Sequence, residues 1–159
     1  MDLNQDLTGM VDSYYKYKLI VARAEKGGFP QFEDEQFPAD DNAVGEELMQ
    51  YFPDGLQWER MSTKPNFKVF VDGVDATDIK QGTCGDCYLL SAFAVMGNKF
   101  TREKFVFLNT EEEWKKSGAF CVRFFDDGKE SFVIIDDKLP IMDEEFVFGM
   151  STNPDELWP

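Results

Sequence analysis

The chain of 159 residues contains no histidine. Histidine is the side chain whose ordinary pKa lies closest to neutral pH, and it is the commonest general base in enzymes. A reaction that needs an imidazole must therefore obtain it from outside this chain, use another base, or not take place.

Cysteines, basic residues and long apolar runs are also scarce. Three cysteines, an odd number, argue against a disulfide scaffold. Sixteen basic against thirty-one acidic residues leave a net charge of −15, which repels phosphate backbones and anionic lipid but suits a divalent cation. No apolar run approaches the roughly 18 residues of a membrane span, and the first residues lack the basic start of a signal peptide. We therefore expect a cytoplasmic protein without nucleic-acid partners and without a membrane span.

The patterning predicts one α+β domain with a sizeable core. A helix is expected at residues 6–26, packing on its own domain or on a partner. Its apolar stripe comprises Leu7, Met10, Val11, Tyr14, Val21 and Ala22. Residues 29–53 read as an irregular acidic segment anchored by Phe32 and Phe37, with a short helix at 44–51.

Strands are expected mainly in the second half of the chain. Residues 119–125 and 131–135 predict a hairpin, because Gly128 between them accepts the positive φ of a tight turn. The apolar stretch 145–148 could extend their sheet, and a short strand is expected at 67–71.

The stretch richest in chemistry is Gln81-Gly82-Thr83-Cys84-Gly85-Asp86-Cys87-Tyr88. A glycine-broken loop delivers Cys87 to the first turn of a helix, where unpaired N–H groups and the helix dipole favour a thiolate. Gln81 can turn an amide donor toward the same place. The combination is typical of a nucleophilic cysteine with half an oxyanion hole.

The segments around this loop carry further expectations. The helix after Cys87 is apolar nearly all round, so we expect it to be central and buried and to end at Gly97. Residues 72–78 form an acidic turn whose aspartates lie three apart, which differs from the alternating pattern of an EF-hand. Residues 111–113 read as a second acidic turn.

Cys84 and Cys87 form a Cys-x-x-Cys pair, which has other interpretations. A thioredoxin-like redox site would need a surrounding βαβ unit. A zinc site would need two more ligands, from Cys121 and carboxylates. Buried inert thiols would explain neither the flanking glycines nor Gln81. A phosphate-binding P-loop is excluded, because no Gly-Lys-Ser/Thr follows.

At these residues the sequence resembles the calpain cysteine proteases, relatives of papain. Gln-Gly-x-x-Gly-Asp-Cys followed by an aromatic residue and a leucine-rich helix is similar to their active-site signature. The resemblance covers roughly residues 29–159. It continues through four further stretches of the chain. Two precede the active-site cysteine, namely residues 29–39 at the entry to the protease core and the Thr-Asp-Ile lead-in at 75–82. Two follow it, namely the Asp-Asp-x-Leu-Pro strand at 132–140 and Asp-Glu-Leu-Trp at 155–158.

The resemblance implies a papain-like α+β fold, namely the helical, nucleophile-bearing subdomain of a calpain protease core with a small antiparallel sheet. It implies that Cys87 is the nucleophile and that Gln81 is the side-chain oxyanion donor beside the Cys87 N–H. Tyr88 stands where the family usually has tryptophan, and Cys84 has no fixed role.

The resemblance also implies a calcium site. Its ligands would be the main-chain carbonyls of Val71 and Gly73 and the carboxylates of Asp78 and Glu156. Hard oxygen ligands of this kind suit calcium.

The resemblance divides the chain into an N-terminal helix or extension at 1–28 and the first, Cys-bearing half of a protease core at 29–159, which looks truncated. In calpains the catalytic His and Asn lie in the second half. We therefore expect a calpain-like cysteine endopeptidase, acting on protein or peptide substrates, that is inactive until a second half-domain supplies those residues. The alternative is a non-catalytic scaffold or regulatory module of a larger assembly.

Overall fold

The computed structural model describes residues 3–71, 76–82, 85–96 and 107–158, and these fall into two units. One unit takes its residues from 1–35 and 104–137, and the other from 36–103 and 138–159. The predicted division at residue 28 stays a prediction. The expected helix end at Gly97 and most of the acidic turn at 72–78 lie outside the described residues.

The first unit is built on helix α1, Leu3–Lys26, which begins three residues before its predicted start. Tyr17 and Val21 are buried against the strand residues Ala119 and Cys121. Helix α1 therefore packs on its own unit, which is one of the two arrangements predicted. The predicted stripe is only partly right, because Ala22 is exposed and Tyr14 keeps 39% exposure. The predicted stripe omits Tyr17, which follows the same helical spacing and is fully buried in the structure.

The predicted hairpin is confirmed. Strands β3 (Ala119–Asp126) and β4 (Lys129–Asp136) pair antiparallel, with Asp126 opposite Lys129. The two turn residues have positive φ, +47° at Asp127 and +76° at Gly128, as a type I′ turn requires. One face of the hairpin packs on α1.

Residues 111–113 begin a helix, so the prediction of an acidic turn is wrong. Helix α5 spans Glu111–Ser117, and Thr110 and Glu113 form a reciprocal capping box at its start. The motif Thr-x-x-Glu and the three leading glutamates suit the positive end of a helix. Trp114 of α5 is fully buried, donates from Nε1 to Asp137 Oδ2 at 3.0 Å and stacks on Phe120.

The second unit starts with irregular chain and two short helices, α2 (Asp41–Val44) and α3 (Glu46–Met49), in place of the single helix predicted at 44–51. Gly45, with φ +85°, separates them. Phe37 is 60% exposed, whereas Phe32 packs against the core of the first unit.

A three-stranded antiparallel sheet of the second unit has the order β1, β5, β6. These strands are Gln57–Arg60, Lys138–Met142 and Glu145–Phe146. The stretch at 145–148 therefore pairs with β5 and does not extend the hairpin sheet. A tight turn with positive φ at Asp143 and Glu144 joins β5 to β6.

Two shorter pairings lie in the described part of the second unit. Strand β2 (Ile79–Lys80) pairs with β7 (Met150–Ser151), and Lys68 forms a parallel bridge with Glu156. The strand predicted at 67–71 is thus reduced to this bridge and to a bond from the Trp158 N–H to the Val69 carbonyl. The predicted α+β class is confirmed. No helix within the described ranges is long and apolar enough to cross a membrane.

Candidate active site

Helix α4, Cys87–Met96, begins at the predicted nucleophile. The carbonyl of Asp86, immediately before it, accepts from the N–H groups of Leu89 (2.9 Å) and Leu90 (3.1 Å), which closes the first turn. Cys87 is a free, exposed cysteine, and its own carbonyl accepts from Ser91 Oγ at 2.7 Å. An accessible sulfur therefore lies at the positive end of the helix dipole, where negative charge is stabilised.

The loop before α4 packs closely on another segment of the same unit. A Cβ on Gly82 would lie 2.1 Å from the carbonyl oxygen of Phe148 and 2.5 Å from that of Val147. Only glycine fits this approach. Gly85 has no such neighbour, because no described atom comes within 4 Å of its Cβ position. Close packing therefore requires glycine at position 82, whereas the described atoms impose no such steric requirement at position 85.

Gln81 follows β2 directly and is exposed. Thr83 and Cys84, between it and Gly85, lie outside the described residues. The roles of Gln81 as oxyanion donor and Cys87 as nucleophile stay predictions.

The expectation that α4 is buried nearly all round is wrong for its described side chains. Leu90 is buried at 7% exposure, and Phe93 contacts Trp158 with ring centroids 5.9 Å apart. Tyr88 and Val95 are 78% and 75% exposed. Although the sequence of α4 is apolar, one face of the helix is packed and the other is exposed to solvent. The exposed face carries Tyr88 beside Cys87.

Glu156, one of the proposed calcium ligands, is buried at 2% exposure. One carboxylate oxygen accepts from the Val71 N–H and the other from Ser151 Oγ, both at 2.6 Å. No described residue forms an ion pair with it.

The main chain at Asp78 lies beside Ser151, the residue that also bonds to Glu156. The Asp78 carbonyl accepts from the Thr152 N–H at 2.6 Å, and the adjacent Ile79 pairs with Ser151. The Asp78 main chain and the Glu156 carboxylate thus both contact residues 151–152, and the Val71 N–H contacts Glu156 directly, whereas Gly73 lies outside the described residues. Within the described ranges no three Asp, Glu, Cys or His side chains form a metal-binding group.

Cys121 contrasts with Cys87. It is fully buried in β3, and burial raises the pKa of its thiol to about 11. A thiol that stays protonated and inaccessible is chemically inert. The zinc interpretation, which needed Cys121 and carboxylates, has no support in the described residues.

Comparison with known proteins gives a consistent result. The profile of the calpain family cysteine proteases matches residues 32–159. The chain is 35% identical to the human calpain-2 catalytic subunit over 134 residues, which is 80% of the chain and 19% of that protein. It is 34% identical to a calpain of Schistosoma mansoni over 148 residues, covering 90% of the chain and 19% of the relative. Calpain-A of Drosophila melanogaster is 36% identical over 136 residues, covering 80% of the chain and 15% of the relative. The chain thus spans about a fifth or less of the length of these relatives.

Proposed function

Because the chain belongs to the calpain family of cysteine proteases, we propose that it supplies the nucleophile half of a calpain-like thiol endopeptidase. Its fold is the papain-like α+β, nucleophile-bearing part of a calpain core. The observation that carries the proposal is the exposed Cys87 at the first residue of α4, inside the Gln-Gly-x-x-Gly-Asp-Cys motif.

In the proposed reaction, the Cys87 thiolate attacks the carbonyl carbon of a peptide bond. The developing oxyanion is stabilised by the Gln81 side-chain amide and by the Cys87 backbone N–H. Tyr88, largely exposed beside the nucleophile, forms an aromatic wall of the cleft. Collapse of the tetrahedral intermediate releases the amine and leaves an acyl-enzyme, which water then hydrolyses.

The base that takes the Cys87 proton and returns it to the leaving amine is a histidine outside these 159 residues, since the chain has none. A second half-domain supplies this histidine together with the asparagine that orients it. We therefore propose that the chain does not turn over substrate by itself, and that it works in the cytoplasm on protein or peptide substrates.

The proposed cation is calcium, held by the carbonyls of Val71 and Gly73 and the carboxylates of Asp78 and Glu156. A carboxylate that is buried and has only neutral hydrogen-bond donors among the described residues carries an uncompensated charge, which is costly. The donor set consists of hard oxygens, so the residues fit calcium. When bound, the ion supplies positive charge that neutralises Glu156 and draws the ligand segments together.

The second candidate is a non-catalytic scaffold or regulatory module. The absence of histidine and the replacement of the usual tryptophan by Tyr88 favour it. The presence of both Gln81 and Cys87 favours the enzyme, since a retired site has no need to keep them.

Alkylation tests the nucleophile. The folded chain is treated with iodoacetamide or a peptidyl epoxide, and mass spectrometry follows Cys87, with Cys121 as internal control and Cys87→Ser as blank. We expect Cys87 to react at least tenfold faster than Cys121 and faster than a cysteine in a short peptide. Equal, slow labelling of all three cysteines contradicts an activated nucleophile.

Complementation separates the two candidates. A second half-domain carrying His and Asn is added to the chain, and cleavage of a fluorogenic peptide is measured. Activity that disappears in Cys87→Ser supports the enzyme. A stable complex that shows no activity favours the scaffold.

Calorimetry tests the calcium site. Wild-type chain should bind calcium, whereas Glu156→Gln should lose the heat and Asp155→Asn, an exposed neighbour, should keep it. No heat from the wild type at millimolar calcium removes the assignment.

A further inference from the structure

We propose that Asp86 is a positioning residue, which ties the nucleophile loop to the segment 147–149 and so controls the reactivity of Cys87. The inference rests on the proposed role of Cys87 as nucleophile. It concerns a residue to which the catalytic scheme above assigns no part.

Asp86 occupies the N-cap position of α4 but does not use its carboxylate as a helix cap. A capping aspartate ordinarily accepts a bond from the second or third N–H of its helix. Here the third N–H, that of Leu89, bonds to the Asp86 main-chain carbonyl instead, and the Leu90 N–H makes the usual first intrahelical bond to the same carbonyl. The carboxylate accepts from the Gly149 N–H, with Oδ2 at 3.1 Å. The side chain therefore joins two segments 63 residues apart in sequence.

The same segment touches the loop and the helix at two further places. Gly82 lies against the carbonyls of Val147 and Phe148, and a Cβ on Gly149 would lie 2.4 Å from Leu90 Cδ2. The segment is thus held against the start of the loop, the N-cap and the first turn of α4. These contacts leave no room for side chains, and the Asp86–Gly149 bond adds a side-chain link next to the main-chain pairing of β2 with β7.

The link also determines where a negative charge lies. Asp86 directly precedes Cys87, and a carboxylate close to a thiolate disfavours the ionised sulfur. Oδ2 is bonded to the Gly149 N–H, and Oδ1 is buried without a hydrogen-bond partner among the described residues, so turning the carboxylate toward the sulfur would break the Gly149 bond. A buried acceptor without a hydrogen-bond partner costs free energy, so the presence of Asp86 at this position requires an explanation. Anchoring the loop is the reason the geometry supports.

Four variants test the inference. Asp86→Ala removes the link, Asp86→Asn keeps an oxygen acceptor of the same length, Asp86→Glu moves the carboxylate by one methylene, and Asp54→Ala is the exposed control. The readouts are the rate of Cys87 alkylation by iodoacetamide against pH, and hydrogen exchange of the Gly149 amide. Circular dichroism and Cys121 labelling check that each variant is folded.

We expect Asp86→Ala and Asp86→Glu to raise Gly149 exchange at least tenfold and to change the Cys87 rate at neutral pH at least fivefold, with a shifted pH profile. Asp86→Asn should stay within twofold of wild type in Gly149 exchange, because its amide oxygen accepts the same bond. If Asp86→Ala does not fold, the comparison of Asp86→Glu with Asp86→Asn decides.

Wild-type rates and exchange in every folded Asp86 variant overturn the inference, even when Cys87 is activated as proposed. Slow wild-type labelling of Cys87 that still changes in Asp86→Ala and Asp86→Glu overturns the proposed nucleophile but supports the positioning role. A lowered thermal midpoint without any change specific to Cys87 or Gly149 assigns Asp86 to general stability and also overturns the inference.

Discussion

The glycines at 82 and 85 form a matched pair for a quantitative test. Alanine at either position adds one methyl group to the same loop. The structure predicts that Gly82→Ala is strongly destabilising and that Gly85→Ala is nearly neutral. The difference follows from what the new methyl meets among the described atoms.

At Gly82 the methyl would lie 2.1 Å and 2.5 Å from two main-chain carbonyl oxygens. A carbon and a carbonyl oxygen ordinarily approach to about 3.3 Å, so the loop or the segment 147–148 must move by roughly 1 Å. Overpacking of this kind costs about 1–3 kcal/mol, and the upper end applies because backbone carbonyls cannot rotate away as side chains do. At Gly85 no described atom lies within 4 Å of the methyl position, and the expected change is within about 0.5 kcal/mol.

Urea denaturation followed by circular dichroism measures both changes. With a slope of about 1.5–2 kcal/mol per molar urea, a loss of about 3 kcal/mol lowers the midpoint by roughly 1.5–2 M. Cys87 alkylation should also change in Gly82→Ala and not in Gly85→Ala. The reasoning is refuted if Gly82→Ala unfolds at the wild-type midpoint, or if Gly85→Ala is the more damaging of the two.

Two further predictions concern the first unit. Glu113 accepts bonds from Tyr17, Lys18 and the Thr110 N–H. Burial alone would raise its carboxyl pKa, but the Lys18 and Thr110 bonds lower it overall. Glu113→Gln should therefore cost about 1–2 kcal/mol at pH 7 in urea denaturation, and less as the pH falls below the ordinary glutamate range. The raised pKa of Cys121, about 11, predicts stability that is full below pH 9 and falls by about 2–3 kcal/mol as the pH approaches 11, a loss that Cys121→Ala should reduce.

Each of these has its control. Glu112 and Lys116 form an exposed ion pair one turn apart on the same helix, so Glu112→Gln should leave the urea midpoint unchanged. An equal loss in Glu112→Gln would contradict a specific role for Glu113. For Cys121, identical alkaline denaturation curves of wild type and Cys121→Ala would show that the thiol does not contribute.

Local pattern was sufficient wherever neighbours in sequence decide the structure. Helix α1, the hairpin of β3 and β4 and the start of α4 at Cys87 all came from periodicity and turn chemistry. The prediction of an acidic turn at residues 111–113 overlooks the capping box of Thr110 and Glu113, which is equally readable. Its signal, Thr-x-x-Glu before Trp114, is local and was available.

Pairing and burial were decided at long range. The stretch 145–148 was apolar in sequence, but whether it joins the hairpin or β5 depends on where β5 lies. The exposure of α4 could not be predicted either, because an apolar helix is buried only where a partner covers it. The spacing of α1 places Tyr17 on the predicted stripe, but its complete burial depends on the distant strand residues Ala119 and Cys121, and its hydroxyl donates to Glu113, 96 residues away.

The sequence by itself determined the chemistry of this protein: a cysteine opening a helix, a glutamine before it, no histidine, and the family to which these residues belong. Only the tertiary structure decided how that cysteine is held. The approach of residues 147–149 explains Gly82, turns Asp86 from a helix cap into a link, and comes from a segment that no local pattern connects with the loop. Local preferences arise from bonds and neighbours along the chain, whereas close packing arises only when distant segments meet.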